Sequence, residues 1–339
     1  MGQRAYVVTR PVRESGLGSN LASMAGAWQL ARRLGRDLVV DWRGMAFLKD
    51  ESLNYFTEFF SELPELDGVR IHYAPSPEAG DHLAAGEDER RDISSHEHAN
   101  LVAAGSDALP RYLVLTRYHG LDRMGSDVAR DYSRLRRFYQ ALELRPEVRA
   151  KADAFYDERL CSAFVVGINL ATGNRTSSTG PYYYRRFDAR ILENRERLLR
   201  RVELATALAV RRLPRELRDT RRVFFATEST WMAELLGRIS ASHARRTVFA
   251  PPETGRLFVD YEQLGYSDRA AAEDIVIDHF LLGRCDALVY NGSMFSQYAR
   301  VLTNHFSGNC RNIDSLYASY WVRTAARRGR AGLRRLRRT

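Results

Sequence analysis

Short apolar, β-branched runs alternate with amphipathic stretches along almost the whole chain. No other feature constrains the fold as strongly. Parallel strands need crossover helices, and repeated strand–helix–strand units build a sheet covered by helices. YVVT (6–9), DLVVDW (37–42), GVRIHYA (68–74) and RYLVLTRY (111–118) read as strands of a first sheet, with a helix over Leu21–Leu34. One helical stretch, SRLRRFYQALELRPEVRAKADAFYDERL, leads to a second series of strands: AFVVGINLATGN (163–174), RRVFFAT (221–227), TVFAP (247–251) and DALVY (286–290). Helices at Ile191–Ala209, TWMAELLGRI, AAAEDIVIDHFLLGRC (270–285) and Met294–Val301 separate them. At about 100–200 residues per domain, 339 residues accommodate two cores. The expected division is 1–160, 161–305 and a C-terminal segment 306–339 that could return to the first domain.

Between two of the first-sheet strands lies PSPEAGDHLAAGEDERRDISSHEHANLVAAGSDALP (75–109), which is polar and rich in charge, glycine and proline. It reads as a long surface loop of the kind that builds binding faces. Its His82, His96 and His98 lack the spacing of a metal site and read as solvated. Three scattered cysteines give neither a disulfide framework nor a metal site. With no apolar run of membrane-spanning length and no leader-like start, the expectation is a cytoplasmic protein.

A net charge of +10 would ordinarily raise nucleic acid as a partner. Eight of the arginines fall between Arg323 and the C-terminus, and taking them from +10 leaves +2. The expected reading is no specific nucleic-acid partner, with a basic tail that is solvated or weakly touches an anionic surface.

The stretch VTRPVRESGLGSNLASMAGAWQLARRLGRDLVVDWRG (8–44) has the outline of a dinucleotide fingerprint, but its details depart from one. The third glycine position is Leu21, and the residues from Arg10 to Ser15 separate the first strand from Gly16. Gly16, Gly18, Ser19 and Asn20 still offer a loop, backbone N–H groups and a side-chain cap at a helix start, suited to an anion or a sugar hydroxyl.

The same stretch resembles the opening of the rhizobial nodulation fucosyltransferases: a Gly-x-Gly loop, a helix containing Ala-Trp, Arg-x-Gly-Arg, and a strand ending Asp-Trp-Arg-Gly. AFVVGINLATGN, VFFATEST and DIVIDHFLLGRCDALVYNGSMFSQYARVL continue the likeness into the second half. The resemblance implies an α/β, GT-B-like fold with two Rossmann-type domains facing a central cleft. It implies an inverting sugar transfer from a nucleotide-sugar donor, GDP-linked and carrying fucose or a related hexose. No metal or other cofactor is implied.

Such a transfer needs the diphosphate stabilised, the base recognised and an acceptor proton removed. Asn291, Gly292, Ser293, Met294, Phe295 and Ser296 link a strand end to a helix N-terminus, where phosphate binds in doubly wound sheets. Thr227 and Glu228 end another strand, and a carboxylate can accept the paired donors of guanine. The family's His-x-Arg corresponds here to Asn169 and Ala171, so Asn169, Gly173 and Asn174 join the donor side while the arginine is lost. Arg175, Arg185 or Arg186 could replace it, since an arginine fork pairs with phosphate; Arg175 and Arg186 are the expected catalytic arginines. On the acceptor side stand Gly16, Gly18, Ser19, Asn20, Asp41 and Arg43, with His119 as candidate base. Two alternatives stand beside the transferase: a non-catalytic sugar or nucleotide binder, and a nicotinamide-dependent oxidoreductase.

Overall fold

The computed structural model describes residues 4–11, 16–45, 48, 50–79, 82–94, 97–117, 128–161, 163–169, 195–219, 221–226, 269–290, 295–302 and 310–313. Apolar runs form the strands of a first sheet: β1 Tyr6–Thr9, β2 Asp37–Val40, β3 Glu65–Leu66, β4 Val69–Tyr73, β5 Arg90–Ser94 and β6 Tyr112–Arg117. Their order is β3-β4-β2-β1-β6-β5, parallel except for the β3–β4 pair. A second, fully parallel sheet has the order β10-β9-β7-β8, from β7 Val165–Asn169, β8 Arg222–Ala226, β9 Ala287–Tyr290 and β10 Cys310–Asn312.

Helix α1 spans Leu17–Leu34, starting four residues before the expected position. Gly16 is its N-cap residue and provides no side-chain cap. Ser19 and Asn20 are therefore first-turn residues, not caps, and both backbone N–H groups point to the Gly16 carbonyl at 3.1 and 3.2 Å. Gly35 ends the helix in the left-handed region at φ 64°, where a side chain would be strained. Only Ser19, Arg32 and Arg33 of α1 escape burial, because the helix lies on β1 and β2 and under further helices.

The remaining described helices are α2 Tyr55–Phe59, α3 His98–Ala104, α4 Val128–Ala141, α5 Pro146–Arg159, α6 Arg195–Ala209, α7 Arg215–Asp219, α8 Arg269–Gly283 and α9 Phe295–Leu302. The single helical stretch expected before the second sheet is two helices, α4 and α5. Pro146 disfavours helical backbone at Arg145, so α4 ends and α5 starts afresh with proline in its first turn.

Strand alternation sorts the first sheet into two faces. Val7, Leu38 and Val40 join the large core beneath α1, which continues through α4, α8 and α9 to Phe224, Leu288 and Tyr290 of the second sheet. Tyr6, Val8, Val39, Tyr112 and Val114 form a smaller core with Ala74 and Ala79 on the opposite face. The second sheet buries Val166, Ile168, Val223, Phe225, Ala287 and Val289 under Val202, Ala205 and Ala209 of α6.

Two expectations change here. The stretch 75–109 is not simply a loop: β5 pairs in parallel with β6 and α3 packs on α1. Strand β10 extends the second sheet beyond residue 305, into the segment expected to stand apart. The strand at 247–251, the helix at 230–239 and the basic tail lie outside the described residues.

Charged contacts join the two sheets' helices. Lys151 on α5 and Arg269 on α8 both face Glu273, and Arg269 also lies 3.3 Å from Glu58 on α2. Arg284 pairs with Asp153 and sits 3.8 Å above the Tyr156 ring. The helix α5, expected to belong with the first domain, is thus seated against α8 of the second.

Candidate active site

In parallel sheets, ligands bind outside the carboxyl ends of the strands, so those two edges are where chemistry is expected. At the first edge stands Asp41, directly after β2 and completely buried. Arg43 grips it from two residues on, with Nε 2.7 Å from Oδ1 and Nη2 3.0 Å from Oδ2. Both nitrogens donate to one carboxylate, the fork geometry that makes arginine a strong partner. His82 Nε2 lies 2.9 Å from Oδ2 and Arg10 Nε 3.8 Å from the same oxygen. Burial by itself would raise the Asp41 pKa; the hydrogen bonds of His82 and Arg43 outweigh it and hold the carboxyl well below the usual range.

Alternation along β1 and β2 explains the grouping. Arg10 shares parity with Val8, and Asp41 with Val39, so both emerge on the face of the smaller core. Asn54 fixes this edge from below. Its amide donates to the carbonyls of Val40 and Ala74 at 2.8 and 2.7 Å, while its oxygen accepts from the Trp42 and Phe56 N–H groups. One buried side chain therefore ties the ends of β2 and β4 together and caps α2.

The ionised Asp41 makes Nε2 of His82 the protonated nitrogen. His82 Nδ1 is buried without a hydrogen-bond partner among the described residues. His82 was expected to be solvated and is 1% exposed. The correction has a physical cause: a charge-rich flank hides that the chain folds back over the sheet, where a buried carboxylate can hold an imidazole.

At the second edge Asn169 ends the central strand β7. It is register partner to Ala226 on one side and Tyr290 on the other. Its Nδ2 donates to the Ala226 carbonyl at 2.9 Å, and its Oδ1 is buried with no hydrogen-bond partner among the described residues. Native proteins rarely leave a buried acceptor unpaired, which marks this strand end as unusual. Tyr290 in turn lies beneath the Arg300 guanidinium at 4.7 Å. Ser296, in the first turn of α9, is fully buried.

Of the residues expected from the sequence, the structure brings Asp41 and Arg43 together at the first edge. Gly16, Gly18, Ser19 and Asn20 lie at the start of α1, with Asn20 Nδ2 turned to the Gly16 carbonyl at 3.3 Å and to Met45 Sδ at 3.9 Å. Asn169, Phe295 and Ser296 belong to the second sheet and its following helix. His119, Gly173, Asn174, Arg175, Arg185, Arg186, Thr227, Glu228, Asn291, Gly292, Ser293 and Met294 lie outside the described residues. Sequence reasoning missed Arg10 and His82; Arg10 carried a signal, since it follows a strand directly. Among the described residues no cluster of histidine, cysteine and carboxylate side chains could hold a metal ion. No described helix is long and apolar enough to cross a membrane.

Comparison with known proteins matches residues 3–80 and 128–311 to the family Nodulation protein Z (NodZ). Nodulation protein Z of Bradyrhizobium diazoefficiens is 26% identical over 313 residues, 87% of this chain and 78% of that protein. Its counterpart in Azorhizobium caulinodans is 27% identical over 296 residues, 82% and 83% of the two chains. The crystal structure of NodZ α-1,6-fucosyltransferase soaked with GDP-fucose has a TM-score of 0.59 at 22% identity, covering 88% of this chain and 93% of that one. A mutant of Arabidopsis thaliana FUT1 in complex with GDP gives 0.55 at 16% identity, covering 89% and 69%. These likenesses establish the fold as α/β and GT-B-like. With residues 3–80 and 128–311 matched, more than half of its length, the chain belongs to the nodulation protein Z family of glycosyltransferases.

Proposed function

We propose that this chain transfers fucose or a closely related hexose from a GDP-linked donor to a hydroxyl of an oligosaccharide or small-molecule acceptor, with inversion and without a metal ion. The family match over residues 3–80 and 128–311 carries this reading. Relatives of the same fold were crystallised with GDP or GDP-fucose. The shared edge formed by Asn169, Ala226 and Tyr290 supports a donor site there, since Thr227–Glu228 and Asn291–Met294 follow directly in sequence. In this reading Glu228 takes guanine, the 291–296 turn takes the diphosphate, and Arg175 or Arg186 supplies the lost charge. The acceptor lies against the Asp41–Arg43 edge, with His119 as base. The reading places the protein in the cytoplasm.

The family's His-x-Arg is Asn169 and Ala171 here, and this observation favours a second reading: a binder of sugar nucleotides that does not turn them over. Family membership leaves no support for the nicotinamide alternative.

The first experiment is a thermal-shift comparison of GDP, UDP, dTDP and NAD, each with and without EDTA. A ligand at 100 times its Kd stabilises by about 2.7 kcal/mol, so GDP should give the largest shift and EDTA should not remove it. A larger shift with UDP or dTDP overturns the guanine assignment, and loss of the shift in EDTA overturns metal independence. Mass spectrometry of GDP-fucose incubations then separates the readings: released GDP or a fucosylated product marks an enzyme, and binding without either marks the non-catalytic protein.

A further inference from the structure

Strand order in the first sheet reverses at β1: β2 and β4 lie on one side of it, β6 and β5 on the other. In open parallel sheets the crevice outside the strand ends opens where the order reverses. Arg10 stands at that point. It follows β1 directly, and its backbone N–H reaches the Leu115 carbonyl of β6 at 3.5 Å. Its side chain is 33% exposed, whereas Asp41 beside it is completely buried. The two arginines at this edge use Asp41 differently. Arg43 hydrogen-bonds both carboxylate oxygens, but Arg10 Nε stays 3.8 Å from Oδ2, an ion-pair distance too long for a hydrogen bond. Arg10 Nε is buried with no hydrogen-bond partner among the described residues.

Two guanidinium groups therefore face one carboxylate, and Asp41 also takes the His82 ring N–H. Asp50, in the loop after Arg43, turns its carboxylate to the Ser52 hydroxyl and N–H instead. Helix α1 begins at the same edge with no acidic residue in its first turn, so its positive end adds to the excess. We infer that Arg10 binds an anionic group of the acceptor, and that this chain accordingly glycosylates acidic oligosaccharides, those bearing a carboxylate, sulfate or phosphate. The inference rests on the transferase reading, with the donor at the second sheet. Arginine suits the task because its planar fork pairs with such oxyanions through two parallel hydrogen bonds. Asp41 is the positioning group: it attracts the Arg10 guanidinium without consuming its donors, and its own charge is already matched by Arg43.

The test uses the full chain, with GDP present, on an immobilised array that pairs each neutral oligosaccharide with its uronate-bearing and sulfated counterparts. GDP is titrated by calorimetry beside it. The wild type should retain an acidic member roughly ten-fold or more above its neutral counterpart, the worth of one charge-assisted contact. Arg10→Ala should bring that ratio close to one and leave the GDP Kd unchanged. Arg10→Lys, which keeps the charge without the fork, should recover part of the preference, and the neutral Arg10→Gln should not. Those two variants carry the comparison if Arg10→Ala does not fold. The basic C-terminal tail is the same in every variant, so a loss confined to Arg10 cannot come from it. Equal retention of acidic and neutral members by the wild type overturns the inference. So does an acidic preference that Arg10→Ala or Arg10→Gln leaves intact, and GDP binding then upholds the reading beneath it. A weakened GDP Kd with unchanged glycan preference assigns Arg10 to the donor's diphosphate and overturns the inference as well. A wild-type chain that binds no GDP overturns the transferase reading and the inference with it.

Discussion

The Tyr55 hydroxyl donates a hydrogen bond to the Ala272 carbonyl at 3.2 Å, joining α2 beside the first sheet to α8 beside the second. The two residues are 217 positions apart and both are fully or nearly fully buried. Burial holds the phenol far above its ordinary pKa, so it stays a donor at every working pH. Tyr55→Phe keeps the ring and removes only the bond. It should cost about 1 kcal/mol in urea unfolding, the usual net worth of such a bond. An unchanged midpoint would show that the contact contributes nothing.

Helices α8 and α9 approach so closely at Gly283 that a Cβ there would stand 2.7 Å from Cε1 of Tyr298 and 2.9 Å from Cδ1 of Leu302. The Tyr298 ring cannot easily retreat, because it stacks on His279 at 4.4 Å and meets Tyr139 edge-on. Gly283→Ala should therefore destabilise by about 1–3 kcal/mol despite alanine's better helix propensity. A variant as stable as the parent would mean that the helices can separate at no cost.

Acid should weaken the protein in two stages. Desolvation lowers the pKa of the buried His279 to about 3, so the unfolded chain takes up a proton near pH 6.5 that the folded one refuses. The contribution of His279 is complete above that pH and falls by roughly 1.4 kcal/mol per pH unit below it, until His279 protonates in the fold, while the buried Asp278, whose pKa burial raises, offsets part of the loss. Asp41 adds a second loss below about pH 4, since its folded pKa is also depressed. Denaturant titrations between pH 8 and pH 3 measure both. His279→Phe should lessen the loss of stability between about pH 6.5 and 4 relative to the parent and leave the lower stage, a remainder coming from His98, whose pKa burial lowers to about 4; identical slopes in parent and variant contradict the assignment.

For turnover, the proposed function makes the arginines that follow Ala171 in sequence decisive. Arg175→Ala or Arg186→Ala should slow transfer ten-fold or more, about 1.4 kcal/mol of barrier, with circular dichroism unchanged. If Arg175→Ala, Arg185→Ala and Arg186→Ala all keep full rates, the diphosphate is held by other groups.

What the sequence disclosed follows burial. YVVT, DLVV, VFFA and ALVY are buried on both faces, so their apolar runs announce themselves, and the strands fall where periodicity puts them. β5 is the contrary case. In RRDIS only Ile93 is buried, because an edge strand pairs on one side and exposes most of its side chains. β10, three residues long, offers no period at all. At the site, Asp41 and Arg43 were legible because both lie in one local motif. His82 was not: its partner is 41 residues away, and nothing local in DHLAAGEDE signals burial.

The nearly complete burial of α1 has a consequence for how this protein can change over generations. A helix with one solvent face absorbs mutations there, but α1 has strands on one side and α3, α4 and α9 around it. Its small residues, Ala22, Ala25, Gly26 and Ala27, are all buried, and a close-packed interior resists added volume at such positions. In a library of all single substitutions, α1 should be the least permissive described helix and the solvent side of β5 among the most permissive strands. Drift would then gather on the exposed edge of the first sheet, with the helix beneath that sheet nearly frozen.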